Sequence, residues 1–484
     1  MKNSIGNIKC FSLTFLLFLV SCGDFLKEEV YTQYDPGKYL QTEEGINSVL
    51  VAAYKYMQVT GGAMRDRMYT LNEFPGDIMW DWGGGYEANA VLFMNFTWDS
   101  QNTMFSTPWS QYYQSVRNAN ALLDNIDNVT ALSAEKVKQF KAEARFIRAA
   151  DYYYLWELFG PVPLITTANE LNFEPFRATE QEFHEFITSE LQAAAADLPI
   201  KQSLWGKATK GAAMALLGKY YMNSSQWQKA ADINKQVIDL NTYKLFDGDV
   251  KNMFAVENEE NSEVILTSPC LTTLNGNNYM SHAFPPNYPI QSNWQNYGSQ
   301  FCIYNDWIET YHPNDKRLGW FLFSYTATNG KVVDLWNPLS VGRGIRCFKY
   351  VPDPNALGVP HGNDVPMIRY AEVLLNRAEA LYELNGPSSE SVTLLNQVRQ
   401  RAGVPLYSVS DFNSKDALKD ALLDERGWEF VAEGMRRVDL IRHKKLISRA
   451  VSRGAKNAKD YMTLYPIPQN EIDANPNLKQ NMGY

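Results

Sequence analysis

The stretch ATKGAAMALLGKYYMNSSQWQKAADINKQVIDL, residues 208–240, decides the fold class. Its apolar residues recur every three to four positions on both sides of the polar segment 223–226, which is the spacing of two amphipathic helices. Helices joined by so short a loop lie antiparallel to each other. The small residues Gly218 and Ala230 leave room for a close crossing, so the stretch predicts a helical hairpin.

The spacing within this hairpin matches a known repeat. Leu217-Gly218 followed by Tyr221, with Ala230 further on, is the tetratricopeptide pattern, in which small side chains let two helices approach. Only this one unit shows the pattern well. An ordinary antiparallel helix pair is the alternative interpretation.

Helical periodicity continues upstream of the hairpin. It predicts long helices over 105–126 and 134–159, the second of them stopped by Gly160-Pro161. Thr179, followed three residues later by Glu182, predicts a capping box at the start of another helix that ends near residue 198.

The same periodicity returns after Pro366. One predicted helix ends at Gly386-Pro387, and a second, over 388–402, closes at Gly403. A further pair is predicted over 415–432 and 435–446. These hairpins predict an all-α fold with a solenoid-like body.

Two irregular regions interrupt the helices, residues 60–104 and about 250–365. Both are rich in glycine, proline, asparagine and aromatic residues. Long irregular segments in a compact protein are usually functional. We therefore expect aromatic-rich loops to form a ligand face on the helical body.

Composition narrows the class of partner. The net charge is −9 and there is no basic tract, which argues against nucleic acid. Cys270, Cys302 and Cys347 are too widely spaced for a zinc site; buried free thiols are the simplest interpretation, and one disulfide is the alternative. Asp247-Gly248-Asp249 indicates a turn rather than a calcium loop. We expect no metal and no cofactor.

The N-terminus predicts export and a lipid anchor. Lys2 and Lys9 precede the apolar run 11–20, which is too short to span a bilayer and has the length of a signal-peptide core. Leu19-Val20-Ser21-Cys22 resembles the bacterial lipoprotein box, so residues 1–21 are predicted to be removed and Cys22 acylated. An ordinary cleaved signal with an incidental cysteine is the alternative.

The sequence contains no complete catalytic motif. The five histidines are isolated, and Gly83-Gly84-Gly85 and Gly342-Arg343-Gly344 do not continue into phosphate loops. Ser133 with Lys136 fits a helix N-cap better than a penicillin-binding motif. Three acidic residues that lie beside arginines on a predicted helix are expected to form ion pairs and caps rather than to act as glycosidase acids: Asp424, Glu425 and Glu429.

Binding chemistry is easier to find. Sugars present C–H faces to flat rings and hydroxyls to amides and carboxylates, and the irregular regions supply both. Packing of the loops onto the helices is the alternative role for each of these residues. The candidate ligand contacts are Asp77, Trp80, Asp81, Trp82, Tyr86, Trp294, Asn296, Tyr297, Trp320 and Trp336.

Short motifs along the whole chain resemble the SusD-like (SusD/RagB) nutrient-binding lipoproteins of Bacteroidetes outer membranes. Each motif is weak alone, and their number and order carry the resemblance. They are RNAN (117–120), AEARFIRA (142–149), FGPVPL (159–164), IRYAEVLLN (368–376), AEA (378–380), LNQVR (395–399), RAG (401–403), DER (424–426), EGMRR (433–437), PIP (466–468) and NPNL (475–478).

The resemblance implies an N-terminal region over 22–265 with tetratricopeptide-like helices and a C-terminal region over 266–484. It also implies a non-enzymatic, surface-exposed outer-membrane lipoprotein that captures glycan for a SusC-like, TonB-dependent transporter. A peptide-binding member of the family, a glycoside hydrolase and a pure scaffold for the transporter are the alternatives. The motifs themselves do not identify the ligand.

Overall fold

The computed structural model describes residues 39–169, 172–298, 300–340, 342–412 and 414–484. The predicted signal and Cys22 lie outside the described residues. No helix in the described ranges is long and apolar enough to cross a membrane.

Helices dominate the described chain, as the periodicity predicts. Their bounds are α1 Glu43–Met57, α2 Gly61–Ala63, α3 Glu87–Met94, α4 Thr103–Asn125, α5 Ala134–Phe159, α6 Glu180–Asp197, α7 Lys210–Asn223, α8 Trp227–Asp239, α9 Tyr279–Ala283, α10 Asn305–Ile308, α11 Tyr370–Asn385, α12 Ser389–Ala402, α13 Lys415–Glu429, α14 Arg436–Arg442, α15 Leu446–Ser452 and α16 Gln469–Ala474.

The long helices pack in a continuous row. Helix α1 lies against α4, and α4, α5, α6 and α7 each pack on the next helix along the chain. Helix α8 then packs on α11, which contacts both α12 and α13. The predicted all-α, solenoid-like body is therefore confirmed.

The α7/α8 hairpin crosses closely at Gly218. A β-carbon at that position would lie 2.7–2.9 Å from the side-chain amide of Asn234, so any larger residue would have to displace that side chain. Ala230 is completely buried at the same crossing. The close approach that the sequence predicts between these two helices is confirmed.

Helix ends follow the predicted capping chemistry. Thr179 and Glu182 form the capping box of α6, and Ser133 caps α5 by accepting the backbone N–H of Lys136. Gly403, in the left-handed conformation with φ +78°, ends α12. These local signals are confirmed.

The helices predicted over 415–432 and 435–446 are shorter than expected. Helix α13 ends at Glu429 rather than near 432. At this end the buried Lys349 Nζ donates to the carbonyl oxygens of Glu429 and Val431 at 2.7 and 3.1 Å, which replaces hydrogen bonds that a longer helix would make. Helix α14 ends at Arg442, and Lys444 turns the chain with φ +57° before α15 begins.

The irregular regions also contain more regular structure than their sequence indicates. Residues 60–104 hold a π-helix over Met64–Thr70 as well as α3. The strands of the described residues are β1 Met79–Trp80, β2 Val264–Ser268, β3 Cys302–Ile303, β4 Phe321–Leu322, β5 Ser324–Thr326, β6 Val332–Asp334, β7 Arg346–Cys347 and β8 Val365–Arg369.

These short strands pair antiparallel, β1 with β3, β2 with β8, β4 with β7 and β5 with β6. The expected division of the chain at residue 265 falls inside β2, whose partner β8 lies about 100 residues later. The pairing therefore ties the two expected regions together.

A buried network of charges joins the C-terminal helices to the loops. Glu425 accepts Arg317 and Arg399 at 2.8 Å each, and Arg369 reaches both Glu429 and Glu433. The network consists of Arg317, Lys349, Arg369, Arg399, Arg401, Glu263, Asp315, Glu425, Glu429 and Glu433.

The predicted ion-pair role of Glu425 and Glu429 is therefore confirmed. Asp424, expected to act in the same way, has no ion pair within 4 Å in the part of the chain that the structure describes, and burial raises its pKa. Asp247 pairs with Lys244, and Asp249 caps the 3-10 helix Val250–Asn252, as expected for a turn. The three described cysteines are buried free thiols, as the simplest interpretation predicts.

Glu73 is a buried carboxyl group whose pKa depends on its surroundings. Its Oε1 accepts the backbone N–H groups of Gly434 and Met435 at 2.6 and 3.3 Å, while Oε2 has no partner among the described residues. Burial outweighs these hydrogen bonds and raises the pKa of Glu73 to about 8. The folded state thus holds this proton where the unfolded state has released it.

We therefore expect Glu73→Gln to become progressively more stable than wild type between pH 5 and pH 8. The stabilisation that a raised carboxyl pKa contributes to the folded state is complete at pH values below the pKa of the unfolded state, which is about 4.5. It decreases as the pH rises, by at most about 1.4 kcal/mol per pH unit. Urea unfolding over this range measures the change. The exposed Glu185→Gln is the control, and a Glu73→Gln curve parallel to wild type would contradict the expectation.

Candidate ligand-binding site

Two loops far apart in sequence meet at strands β1 and β3. Trp80 lies opposite Cys302 in this pair, which brings the Trp80 ring to Tyr304, two residues beyond Cys302. The two rings are stacked, with centroids 6.0 Å apart and an interplanar angle of 23°. Both side chains are partly exposed, so the pair offers an aromatic surface to solvent.

This surface forms one wall of an open pocket, which we name the Trp80 pocket. Its volume is about 370 Å³. Its lining residues are Trp80, Tyr304, Asn305, Pro338, Arg343 and Gly344. The rings supply an apolar wall, and Asn305 and Arg343 supply polar groups at its edge.

Trp82 and Trp336 extend the aromatic surface. Trp82 donates its indole N–H to the carbonyl oxygen of Arg343 at 3.1 Å, and the Arg343 guanidinium lies over the Trp82 ring, 4.6 Å from its centre. Trp336, 36% exposed, packs on Phe323. The Asn305 side chain donates to the Trp336 carbonyl at 2.9 Å and so holds the two loops together.

A polar layer is buried beneath Trp82. The Asp81 carboxyl accepts the backbone N–H of Gly83 at 3.2 Å, and burial together with the nearby Glu87 raises its pKa to about 7. Arg346 is completely buried and donates to Cys302 Sγ at 2.8 Å and to the carbonyl oxygen of Arg343 at 3.2 Å.

The second predicted aromatic group lies on a neighbouring loop. Trp294 stacks on Phe284 with centroids 5.6 Å apart and is only partly exposed. Tyr297, 41% exposed, packs against His282, which in turn contacts Tyr86. The Asn296 side chain is engaged in the loop itself: its amide donates to Pro285 O at 2.9 Å, and its oxygen accepts the N–H of Gly298 at 2.6 Å.

Four expected contacts are corrected by burial. Trp320 has no exposed surface and donates its indole N–H to Val250 O at 2.8 Å. Asp77 is 1% exposed and forms a bidentate pair with Arg436 at 2.6 and 3.0 Å. Asp81 and Tyr86 are also buried. We therefore assign these four side chains to loop packing rather than to ligand contact.

Of the six residues that line the Trp80 pocket, sequence reasoning identified only Trp80. Tyr304 and Asn305 lie in the irregular region that was expected to bind ligand, but nothing local distinguishes them from its other tyrosines and asparagines. Arg343 belongs to a Gly-Arg-Gly triplet that was considered only as a phosphate loop. Its flanking Gly344, with φ +92°, passes so close to Trp80 that a β-carbon there would lie 3.0 Å from the indole ring.

Two family models match the chain in separate segments. The model described as the SusD family matches residues 343–484, and the model described as starch-binding associating with outer membrane matches residues 24–222. Together they cover more than half of the chain.

Individual relatives can be aligned with this chain over most of its length. SusD-like protein P2 of Formosa agariphila is 27% identical over 98% of this chain and 99% of its own. The starch-binding protein SusD of Bacteroides thetaiotaomicron is 24% identical over 86% of this chain and 85% of its own. A solved laminarin-binding SusD-like protein is 25% identical, with a TM-score of 0.75, and the match covers 92% of this chain and all of that one.

Two of these names describe binding proteins, and none of the three states an enzymatic activity. The matching segments include the motif-bearing helices and most of the buried charge network; Glu263, Asp315 and Arg317 lie between the two segments. The chain belongs to the SusD/RagB family.

Proposed function

We propose that this protein is a glycan-binding lipoprotein of the outer-membrane surface, anchored through Cys22, that delivers its ligand to a SusC-like, TonB-dependent transporter. The observation that carries the binding role is the stacked, partly exposed Trp80–Tyr304 pair in the wall of an open pocket. The starch-binding and laminarin-binding names of its relatives support glycan as the ligand class.

The chemistry of the pocket suits a sugar. A pyranose ring has an apolar C–H face, which gains most from a flat aromatic ring that stays partly in water. Its hydroxyls need hydrogen-bond partners at the edge of that face, and binding sites supply these with a few placed polar groups. Asn305 and Arg343 occupy such positions beside the Trp80 pocket.

The proposed site therefore centres on Trp80 and Tyr304, with Trp82, Trp336, Asn305 and Arg343 around them. The partly exposed Trp294, Asn296 and Tyr297 form a second contact on the neighbouring loop. Two separated contacts suit a chain of several sugars better than a single monosaccharide, because each additional ring gains its own surface.

Affinity electrophoresis tests this proposal. The full chain, in detergent, is run through native gels that contain plant, host or microbial polysaccharides. We expect selective retardation by at least one of them. If no polysaccharide retards the protein while a protein hydrolysate raises its melting temperature, the ligand is a peptide and the glycan proposal is wrong.

A further inference from the structure

We propose that the glycan bound at the Trp80 pocket is acidic, with a carboxylate or sulfate group that pairs with Arg343. This inference rests on the proposed glycan-binding function and names the class of sugar. It is carried by the arrangement of arginines around the pocket in a chain whose net charge is −9.

Arg343 is a charged group that is held in place without a charged partner. Its side chain is exposed and lies over the Trp82 ring, and no carboxylate within the described ranges comes within 4 Å of it. A guanidinium stacked on an indole keeps its N–H donors in the plane, free to take two oxygens of one anion. Stacking also lowers the entropy lost on binding.

Two contacts hold the backbone at Arg343 and Gly344. The Trp82 indole N–H donates to the carbonyl oxygen of Arg343. Gly344 lies so close to Trp80 and Cys302 that a β-carbon added to it would be 3.0 Å from each of them. The Arg343 guanidinium thus stays beside the ring of Trp80 on which the sugar would lie. A ligand in the pocket would therefore meet the positive charge of Arg343 and the stacking surface of Trp80 together.

A second arginine lies under the same turn. Arg346 is completely buried, and its Nε and Nη2 have no hydrogen-bond partner among the described residues. A guanidinium without a carboxylate at this depth leaves a positive field at the turn. Burial raises the pKa of the neighbouring Asp81, so this carboxyl is only partly ionised at neutral pH.

Two other charged groups near the pocket, Arg453 and Asp306, pair with each other. Arg453 stacks on Tyr304 at 3.9 Å and pairs with Asp306 at 3.1 Å. Asp334 accepts the backbone N–H of Trp336 at 3.0 Å. The acidic surface of the whole molecule does not cancel the local arginines, because charges more than about 8 Å away are largely screened at physiological salt.

Matched pairs of ligands test the inference with the full chain in detergent. One pair is oligogalacturonate and its methyl ester, which lacks the carboxylate charge and carries one added methyl group on each esterified sugar. The other is a sulfated galactan oligosaccharide and its desulfated form, which separates sulfate from carboxylate as the source of the anion. Kd is measured by calorimetry at 50 mM and 500 mM NaCl.

We expect the anionic member of at least one pair to bind about tenfold more tightly at 50 mM NaCl, and the preference to shrink at 500 mM because the Debye length falls to a few ångströms. Arg343→Gln should abolish the preference, so that the anionic and uncharged members of each pair bind with Kd values within about twofold of each other. Arg117→Gln, an exposed arginine on α4, is the matched control and should keep the preference.

The outcomes separate the two proposals. If the uncharged members, or only uncharged glycans of the electrophoresis panel, bind as well or better, the acidic class is wrong and the glycan-binding function stands. A preference that survives Arg343→Gln also overturns the assignment to Arg343. If no glycan of either kind binds, the proposed function itself fails.

Discussion

Glu429→Ala is expected to lower the free energy of unfolding by about 3–5 kcal/mol, because it leaves buried arginines without their shared carboxylate. Glu429 is completely buried and pairs with Arg369 at 3.0 Å, with Arg317 at 3.1 Å and with Arg401. These arginines hold the pKa of Glu429 well below its usual value despite its burial. Arg317 and Arg369 are buried, so bulk water cannot take the place of the missing carboxylate beside them.

Urea unfolding of Glu429→Ala measures this loss. Asp239→Ala is the control, because it breaks an ion pair of 2.6 Å with Lys235 whose side chains are more than half exposed. Exposed pairs contribute about 0–1 kcal/mol, so the control should unfold almost as wild type does. Equal losses in the two variants would mean that the buried network does not stabilise the fold.

The helices of this protein are predictable from sequence because their signals are local. The capping box at Thr179, the glycine at residue 403 and the small residue at 218 each act within a few residues or within one hairpin. The prediction is less accurate where a residue distant in sequence contacts a helix end. Lys349 donates to two carbonyl oxygens at the end of α13, about 80 residues away, where the helix stops earlier than predicted.

The site could be predicted only as a region. Trp320 and Trp336 lie in the same irregular stretch and have similar neighbours, yet one is in the core and the other is on the surface. Trp320 packs on Phe254 and donates to Val250, both of them distant in sequence. Likewise, Trp80 meets Tyr304 only because β1 pairs with β3 across more than 200 residues.

The aromatic pair should also dominate binding. Trp80→Ala and Tyr304→Ala are each expected to raise the Kd for the glycan selected by electrophoresis about thirtyfold, or roughly 2 kcal/mol, as expected for an aromatic residue at the centre of a binding surface. Trp80→Phe, which keeps a flat ring, should recover most of the affinity. Melting temperatures check that the variants remain folded.

Trp205 provides the matched control for these variants. It is 37% exposed, and its indole N–H is bonded to Asp364, outside the Trp80 pocket. Trp205→Ala removes a tryptophan of similar exposure from the molecule without changing the proposed site. Its Kd should stay within about twofold of wild type.

Calorimetric titration of that glycan into wild type, Tyr304→Ala and Trp205→Ala is the most direct test that the Trp80 pocket binds ligand. The account predicts weak or undetectable binding for Tyr304→Ala and wild-type binding for Trp205→Ala. Unchanged affinity in a folded Tyr304→Ala, or a loss confined to Trp205→Ala, would place the ligand elsewhere on the molecule and contradict it.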